Sequence, residues 1–381
     1  MSDLVIPRDA GNGVAPDTVV TGLRGVLACT TSVSSIADGT LRYRGYDVRD
    51  LVGQASFADV TLLLWHGEWP DNDQRERLAA ALTERRSLPD VVQRLITACP
   101  VTADPLALMQ AAIAIDGTCD PRPDNRAVSA VLDKAMTLQA HTANLVGVIA
   151  NRVSGNVPPQ MPADISREAA MLWLATGDEP DPLSLTALDA VLVTFAEHEL
   201  NPSTFAARVV AGTRSDYWSA ITAAVGALKG PRHAGAFAAG ATLVRELGTP
   251  AAARAFVAGL SGDPAVSGFG VHKIYGELDP RVAGIRRFAE LLAADGPHER
   301  LWQTAVELET RLRATHGLNP TAELYAGLVI HLLGIPLRCA SALVATARGA
   351  GWTAHVLEQY SDDVVLRPRA LYIGPPPRSL P

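Results

Sequence analysis

Histidines stand in three short segments that interrupt or end the helical pattern of this chain. The segments are HELNPST (198–204), GPRHAG (230–235) and GFGVHK (268–273), the third followed by Asp279-Pro280-Arg281. Gly, Pro and Asn at such positions favour turns, where side chains from distant parts of a chain can converge on a cleft. Imidazole groups in a cleft can donate hydrogen bonds or exchange protons near neutral pH. His198, His233 and His272 are therefore candidate site residues, although each alone is compatible with a structural role.

The elements that must position these segments are mostly helices, as the spacing of apolar residues predicts. Apolar residues repeat on one face between Phe57 and Leu64 and again within 297–315. Asp181-Pro182 is a typical helix start, and the apolar residues after it predict a helix that runs to His198. Strand character is confined to 41–47, as a short strand or turn, and to 364–373. Because no fixed-period repeat is present, the pattern predicts a mostly α fold and not a solenoid.

Composition and motif searches exclude several classes of protein. The 381 residues carry a net charge of −7 without a clustered basic run, which argues against a nucleic-acid partner. Hydrophobic residues make up 48%, which excludes disorder, and the four scattered cysteines argue against a disulfide or zinc scaffold. The chain also lacks the GxSxG, P-loop, HExxH and dinucleotide-binding motifs.

The sequence gives no sign of secretion or of a membrane partner. Residues 1–20 are rich in Gly, Pro, Asp and Asn, which predicts a mobile lead-in without the features of a signal peptide. The longest apolar stretch, 324–337, is shorter than the about 20 residues that a membrane span needs. We expect a cytoplasmic protein.

Eight segments together resemble the citrate synthase family, in the family's order and over about 22–375. They are GLRGV (22–26), LRYRGYD (41–47), HELNPSTFAARV (198–209), GALKGPRHAGA (226–236), HKIYGELDPR (272–281), LGIP (333–336), AGWTAHVLEQ (350–359) and RPRALYIGP (367–375). The resemblance implies a mostly α, two-domain fold with a large domain and a small mobile domain. It also implies a reaction that joins the methyl carbon of an acyl-CoA to the ketone of oxaloacetate and then hydrolyses the thioester, giving citrate or 2-methylcitrate.

The resemblance assigns three catalytic roles. His233 would donate a hydrogen bond to the thioester carbonyl, and His272 would polarise the ketone of the oxo acid. Glu323 would be the base, since deprotonation of a weakly acidic C–H needs a carboxylate within hydrogen-bond reach. His233 follows Gly-Pro and precedes an Ala-rich stretch, so we expect it at a helix N-terminus, where the dipole keeps imidazole neutral.

Substrate binding is implied by the same resemblance. His198, Arg281, Arg348 and Arg367 would bind oxaloacetate or a similar 2-oxo dicarboxylate, which suits the bidentate geometry of arginine. Arg367 would reach the site of the partner subunit in a homodimer. Acyl-CoA is a co-substrate here, with Gly268, Phe269, Gly270 and Lys273 in its binding loop, and neither a permanent cofactor nor a metal is needed.

Departures from the family pattern cluster on the acyl-CoA side. GFGVHK is one residue longer than the usual GFGHR, with Val271 before the histidine, and Gly276 stands where a phosphate-binding cation is common. GPRHAGAF replaces GPLHGGAN, and Glu323 replaces the usual Asp. These changes leave two alternatives open: a condensing enzyme for another acyl-CoA or 2-oxo acid, and a non-catalytic member that binds a metabolite or partner.

The domain boundaries follow from the resemblance. The large domain would comprise 21–233 and 340–381, after the lead-in at 1–20. The small domain, 234–339, would carry His272, Arg281 and Glu323. Its rotation would close the cleft and exclude water.

Overall fold

The structure is a computed structural model that describes residues 20–23, 25–156, 159–234, 237–270, 274–276, 278–294 and 296–380. Within these ranges the helices are α1 Val48–Leu51, α2 Phe57–His66, α3 Asn72–Glu84, α4 Asp90–Ala98, α5 Pro105–Gly117, α6 Val128–Ser154, α7 Arg167–Thr176, α8 Pro182–Phe195, α9 Pro202–Gly212, α10 Tyr217–Leu228, α11 Ala239–Leu247, α12 Pro250–Ala258, α13 Val282–Ala293, α14 Glu299–His316, α15 Ala322–Leu332 and α16 Ala340–Asp362. The strands are β1 Ser34–Ala37, β2 Thr40–Tyr43, β3 Tyr46–Asp47, β4 Phe269–Gly270 and β5 Asn319–Pro320.

Two small antiparallel sheets accompany the helices. Strands β1, β2 and β3 form one meander, so the short strand expected within 41–47 is present, and β4 pairs with β5. The helices expected between Phe57 and Leu64 and within 297–315 are also present, as α2 and α14. The mostly α prediction is therefore correct.

Helix α16 lies at the centre of one helix group, and nearly all of its side chains up to Val356 are buried. It packs against α2, α5, α6, α8, α9 and α10. A second group consists of α11–α15, which pack among themselves, and both α13 and α15 also contact α8. Helix α8 therefore lies where the two groups meet.

Local capping explains where α8 and α9 begin. The Asp181 carboxylate accepts hydrogen bonds from the backbone of Leu183 and Ser184, and Pro182 is the first helical residue. Asn201 caps α9 in the same way, again before a proline. Both starts are fixed by residues within one turn of the helix.

The predicted continuation of α8 to His198 is wrong, because the helix ends at Phe195. The Tyr43 hydroxyl lies 3.2 Å from the carbonyl oxygen of Thr194 and 3.0 Å from that of Glu197. The hydroxyl of a β2 residue thus lies among carbonyls at the end of the helix and just beyond it, where intrahelical partners are lacking.

The predicted strand at 364–373 is also wrong. Helix α16 ends at Asp362, Asp363 adopts a left-handed conformation with φ 53°, and no helix or strand follows up to residue 380. The segment is mostly exposed, with Ile373 91% accessible. A strand needs a neighbour for its backbone groups, and no described segment of this chain pairs with it.

Two further observations concern the sequence-based expectations. The predicted lead-in lies outside the described residues, except for Val20. No helix in the described part of the chain has the length and apolarity required to cross a bilayer.

Candidate active site

His198 lies in the turn between α8 and α9, and its side chain is buried. Its Nε2 atom is 2.8 Å from the hydroxyl of Tyr275, and the two rings are nearly perpendicular with centroids 5.5 Å apart. The turn and the 274–276 segment thus meet at this histidine.

Arg281 is buried at the start of α13, and its charge has a close partner. Its Nε and Nη2 atoms donate to the two carboxylate oxygens of Asp279 at 2.9 and 2.7 Å. The guanidinium also lies over the rings of Phe195 and Tyr275, 5.2 and 5.6 Å from their centroids. Burial opposes the charge, but the carboxylates of Asp279 and Glu323 raise the pKa of Arg281 well above its usual value.

Arg348 is the second buried arginine of the site, and it projects from the middle of α16. Its Nε donates to the Phe195 carbonyl at 2.9 Å, while its Nη1 has no hydrogen-bond partner among the described residues. Burial lowers the pKa of Arg348, yet guanidinium groups start so high that the side chain remains charged. The arrangement leaves a buried cationic donor without an acceptor, which is costly unless a ligand supplies one.

His233 lies in the turn after α10, and its Nε2 is 2.9 Å from the Ser203 hydroxyl. That hydroxyl also accepts a hydrogen bond from the Trp352 indole at 3.2 Å. Burial, and secondarily the charge of Arg348, lowers the pKa of His233 to about 4. The imidazole is therefore neutral at pH 7.

The expected position of His233 at a helix N-terminus is wrong, since α11 begins only at Ala239. Neutrality of His233 comes from burial and, secondarily, from a nearby arginine.

Glu323 lies in the first turn of α15 and faces Arg281. Its Oε1 is 3.4 Å from Arg281 Nη2, and its side chain is 33% exposed. A carboxylate that is partly open to solvent and held near a buried cation can accept a proton from a substrate in the cleft.

The glycine-rich segment at 268–270 lies next to the helix that carries Glu323. Gly268 has φ +82°, and a Cβ added to it would lie 2.9 Å from Gly240 Cα. Its carbonyl accepts a hydrogen bond from Thr321, the residue before α15, at 2.9 Å. Only glycine combines this backbone conformation with so close an approach. Phe269 and Gly270 follow as β4, whereas His272 and Lys273 lie outside the described residues.

Arg367 lies away from this cluster within its own chain. It is exposed in the segment after α16, and no hydrogen bond or ion pair joins it to the site residues that the structure describes. The structure thus brings together five of the predicted residues: His198, His233, Arg281, Glu323 and Arg348.

Sequence reasoning missed three residues that contact the predicted ones: Tyr275, Ser203 and Asp279. Each lies inside a motif already singled out, and Asp279 directly precedes Pro280-Arg281. Their position within the motifs was the available signal. For metal binding, no group of three or more His, Cys, Asp or Glu in the described ranges could hold an ion.

Comparisons with known proteins agree on one family. The family model for citrate synthase, C-terminal domain, matches residues 22–369. Citrate synthase 2 of Bacillus subtilis is 35% identical over 360 residues, covering 94% of this chain and 96% of that protein. A 2-methylcitrate synthase of Shewanella oneidensis is 34% identical with the same coverage of each chain. The citrate synthase of Thermoplasma acidophilum, solved as a ternary complex with carboxymethyl coenzyme A and oxaloacetate, has a TM-score of 0.86 at 28% identity and covers 95% of this chain and 98% of that one.

Proposed function

This chain belongs to the citrate synthase family, and on that premise we propose that it condenses an acyl-CoA with oxaloacetate. The thioester is then hydrolysed, so the products are citrate or 2-methylcitrate and free CoA. The observation that carries the proposal is Arg348, a buried arginine close to Arg281 and Tyr275 whose Nη1 has no hydrogen-bond partner among the described residues. A dianionic oxo acid supplies the acceptors that this donor lacks.

Oxaloacetate binding uses the cations of the cluster. Arg348 and Arg281 meet the carboxylates through charge-assisted hydrogen bonds. His198 contributes a polar contact through its Nε2 atom. Oxaloacetate competes with the Tyr275 hydroxyl for this atom. His272, as the family resemblance implies, polarises the ketone.

Proton abstraction from the acyl-CoA falls to Glu323. The developing enolate oxygen needs a hydrogen-bond donor, and neutral His233 fits that role because a donor closer in acidity to the enol shares its charge without protonating it outright. In this role the imidazole carries its hydrogen on Nδ1, which requires the Ser203 hydroxyl, now donating to Asn201 Oδ1 at 2.7 Å, to turn and donate to His233 Nε2.

The acyl-CoA chain and the subunit arrangement complete the proposal. Gly268, Phe269, Gly270 and Lys273 contact CoA, which acts as co-substrate, and no resident cofactor takes part. A small domain, 234–339, rotates against a large domain formed by 21–233 and 340–381. In a cytoplasmic homodimer, Arg367 reaches the partner's site, and its exposed position beyond α16 supports such a reach.

A thiol-release assay tests the proposal. The chain is mixed with oxaloacetate and, in turn, acetyl-, propionyl- and butyryl-CoA, and free thiol is followed together with the tricarboxylate product. Release that requires both substrates supports the proposal. Binding of oxaloacetate without release from any acyl-CoA would favour the non-catalytic alternative.

A condensing enzyme for a different acyl-CoA is the second candidate. Phe237, where the family pattern has Asn, is buried and packs edge-on against Phe195 with centroids 4.9 Å apart. This apolar pair borders Arg281 through the ring of Phe195 and replaces the amide of the family pattern with apolar surface, which favours an acyl group other than acetyl. The same assay separates the candidates by the acyl-CoA with the highest kcat/KM.

A further inference from the structure

Glu197, directly before His198, has a fully buried carboxylate. Its Oε1 accepts hydrogen bonds from the Ser34 hydroxyl at 3.0 Å and from His355 Nε2 at 3.1 Å. Its Oε2 has no hydrogen-bond partner among the described residues and lies against Gly351. A buried carboxylate with one unpaired oxygen is expensive unless a positive charge is close.

His355 does not supply that positive charge. Its Nδ1 is 3.1 Å from Arg208 Nη1, and a guanidinium nitrogen can only donate. The Nδ1 atom is therefore an acceptor, and the ring hydrogen sits on Nε2, where it is donated to Glu197. The imidazole is neutral, and the charge of Glu197 must be balanced elsewhere.

Arg348 is the cation that balances the negative charge of Glu197. Arg348 and His355 stand two turns apart on one face of α16, and Arg348 makes no direct ion pair with Glu197. Burial alone would raise the pKa of Glu197, but its interaction with His355 first, and then the charge of Arg348 and the hydrogen bond from Ser34, hold that pKa below its usual value. Arg281 differs, since Asp279 occupies two of its donors.

We infer that Glu197 is a through-space counter-ion of Arg348, a positioning residue that stabilises the buried charge while leaving Arg348 Nη1 free for an anion. The pair resolves a conflict: a direct carboxylate partner would satisfy the arginine but compete with the ligand for its donors. Only the identity of that anion, oxaloacetate, rests on the proposed function.

The charge of Glu197 is tested with Glu197→Gln, which is nearly isosteric and keeps an oxygen that can accept from His355 and Ser34. Without the negative charge, the unliganded protein should melt at a lower temperature. Oxaloacetate then meets an uncompensated Arg348, so its Kd measured by calorimetry should fall on the order of tenfold, the effect of one charge partner in a protein interior. A merely structural role predicts the opposite sign, with weaker binding alongside lower stability, and that result would overturn the inference.

Glu358→Gln is the matched control. Glu358 is a half-buried carboxylate on the same helix, paired with Arg208 and not with Arg348. It should lower the melting temperature but leave the oxaloacetate Kd within about twofold, because the removed charge does not face the anion. If this variant gained as much affinity for oxaloacetate, the loss of any negative charge in this region would explain the gain, and the Glu197–Arg348 pair would not.

A stability cycle works without any ligand. If the two charges are coupled, Glu197→Gln combined with Arg348→Met should melt at a higher temperature than Glu197→Gln alone, since no buried charge remains unbalanced. A double variant that is less stable than both single variants overturns the inference. Absence of thiol release in the wild type would refute the proposed function, yet this cycle would still report on the coupling.

Discussion

Glu323 is the single residue on which the proposed chemistry depends most. Glu323→Gln keeps the size of the side chain and removes its ability to take the α-proton. Turnover should fall by at least about 10²-fold, a typical contribution of general-base catalysis, while oxaloacetate binding should not weaken. Steady-state kinetics and calorimetry on the same preparations measure both. Full turnover in the Gln variant would assign proton abstraction to another group.

Glu323→Asp is the informative companion, since it restores the carboxylate that the family usually has but shortens its reach by one methylene. A displacement of about 1 Å can cost about 10²-fold in rate. Because α15 begins one residue before Glu323 and Thr321 is fixed to Gly268, the backbone cannot easily follow the shorter side chain. We therefore expect the Asp variant to turn over more slowly than the parent. A faster Asp variant would show that the longer Glu323 side chain places the carboxylate less well for catalysis.

His233 should contribute no titration step to the pH–rate profile above pH 5. Burial lowers its pKa to about 4, so the imidazole is neutral throughout this range. His233→Gln keeps a hydrogen-bond donor but a weaker one, and kcat should fall by about 10²-fold, with the acid limb of kcat/KM unmoved. A shift of that limb by one pH unit would mean that His233 itself titrates there.

The same histidine should affect stability in acid. In the unfolded chain its pKa is about 6.5, so below that pH the unfolded state takes up a proton that the folded state excludes until about pH 4. The wild type therefore loses stability as the pH falls through this window. His233→Gln lacks this contribution, and its free energy of unfolding should fall less steeply between pH 7 and pH 4 in denaturant titrations.

At the scale of elements, the close approach of α16 to the end of α8 fixes the geometry of the site. Gly351 donates its backbone N–H to the Ala196 carbonyl at 3.2 Å. A Cβ at this position would overlap Glu197 Oε2 and would lie 2.6 Å from the Ala196 carbonyl oxygen. The contact with backbone cannot be relieved by rotating a side chain, so the two helices would have to separate.

Gly351→Ala should therefore destabilise the fold by about 1–3 kcal/mol, the usual cost of overpacking a core, despite the gain in helix propensity. Gly349→Ala on the same helix is the control. The tightest contact of its Cβ would be with the Gln139 amide nitrogen at 3.0 Å, the end of a side chain and not backbone, and the next atom, Leu138 Cδ2, is 3.6 Å away. Denaturant unfolding of the two variants should separate them by at least 1 kcal/mol, and equal stabilities would contradict the tight contact.

Local signals in the sequence predicted helix starts well and helix ends poorly. Asp181 and Pro182 define the start of α8 within one turn, and so the sequence there is sufficient. Its end depends on the Tyr43 hydroxyl, about 150 residues earlier, which no local pattern can reveal. Likewise the apolar residues of 364–373 resemble a strand, but a strand requires a pairing partner that the local pattern does not specify.

At the scale of the whole molecule, the site draws on both helix groups. His198 and Arg348 come from the group around α16, and Arg281 and Glu323 come from α11–α15. Periodicity could not have brought these residues together, because they are far apart in the chain. The family resemblance could group them, because its motifs contain each of these residues. It did not predict individual contacts such as Tyr275 with His198 or Ser203 with His233.

Mixed subunits test whether Arg367 completes the partner's site. In a dimer of one Glu323→Gln chain and one Arg367→Leu chain, a crossing arginine places both defects in one site and leaves the other intact. Random exchange of equal amounts makes half of the dimers mixed, so about a quarter of wild-type activity should return. Glu323→Gln mixed with Arg348→Leu is the control, because each of its sites keeps one defect and no activity should return. Mass spectrometry of differently tagged chains shows whether the subunits have exchanged. If they have and the first mixture stays inactive, each site is built within one chain. The exposed segment after α16 then has no part in the partner's chemistry.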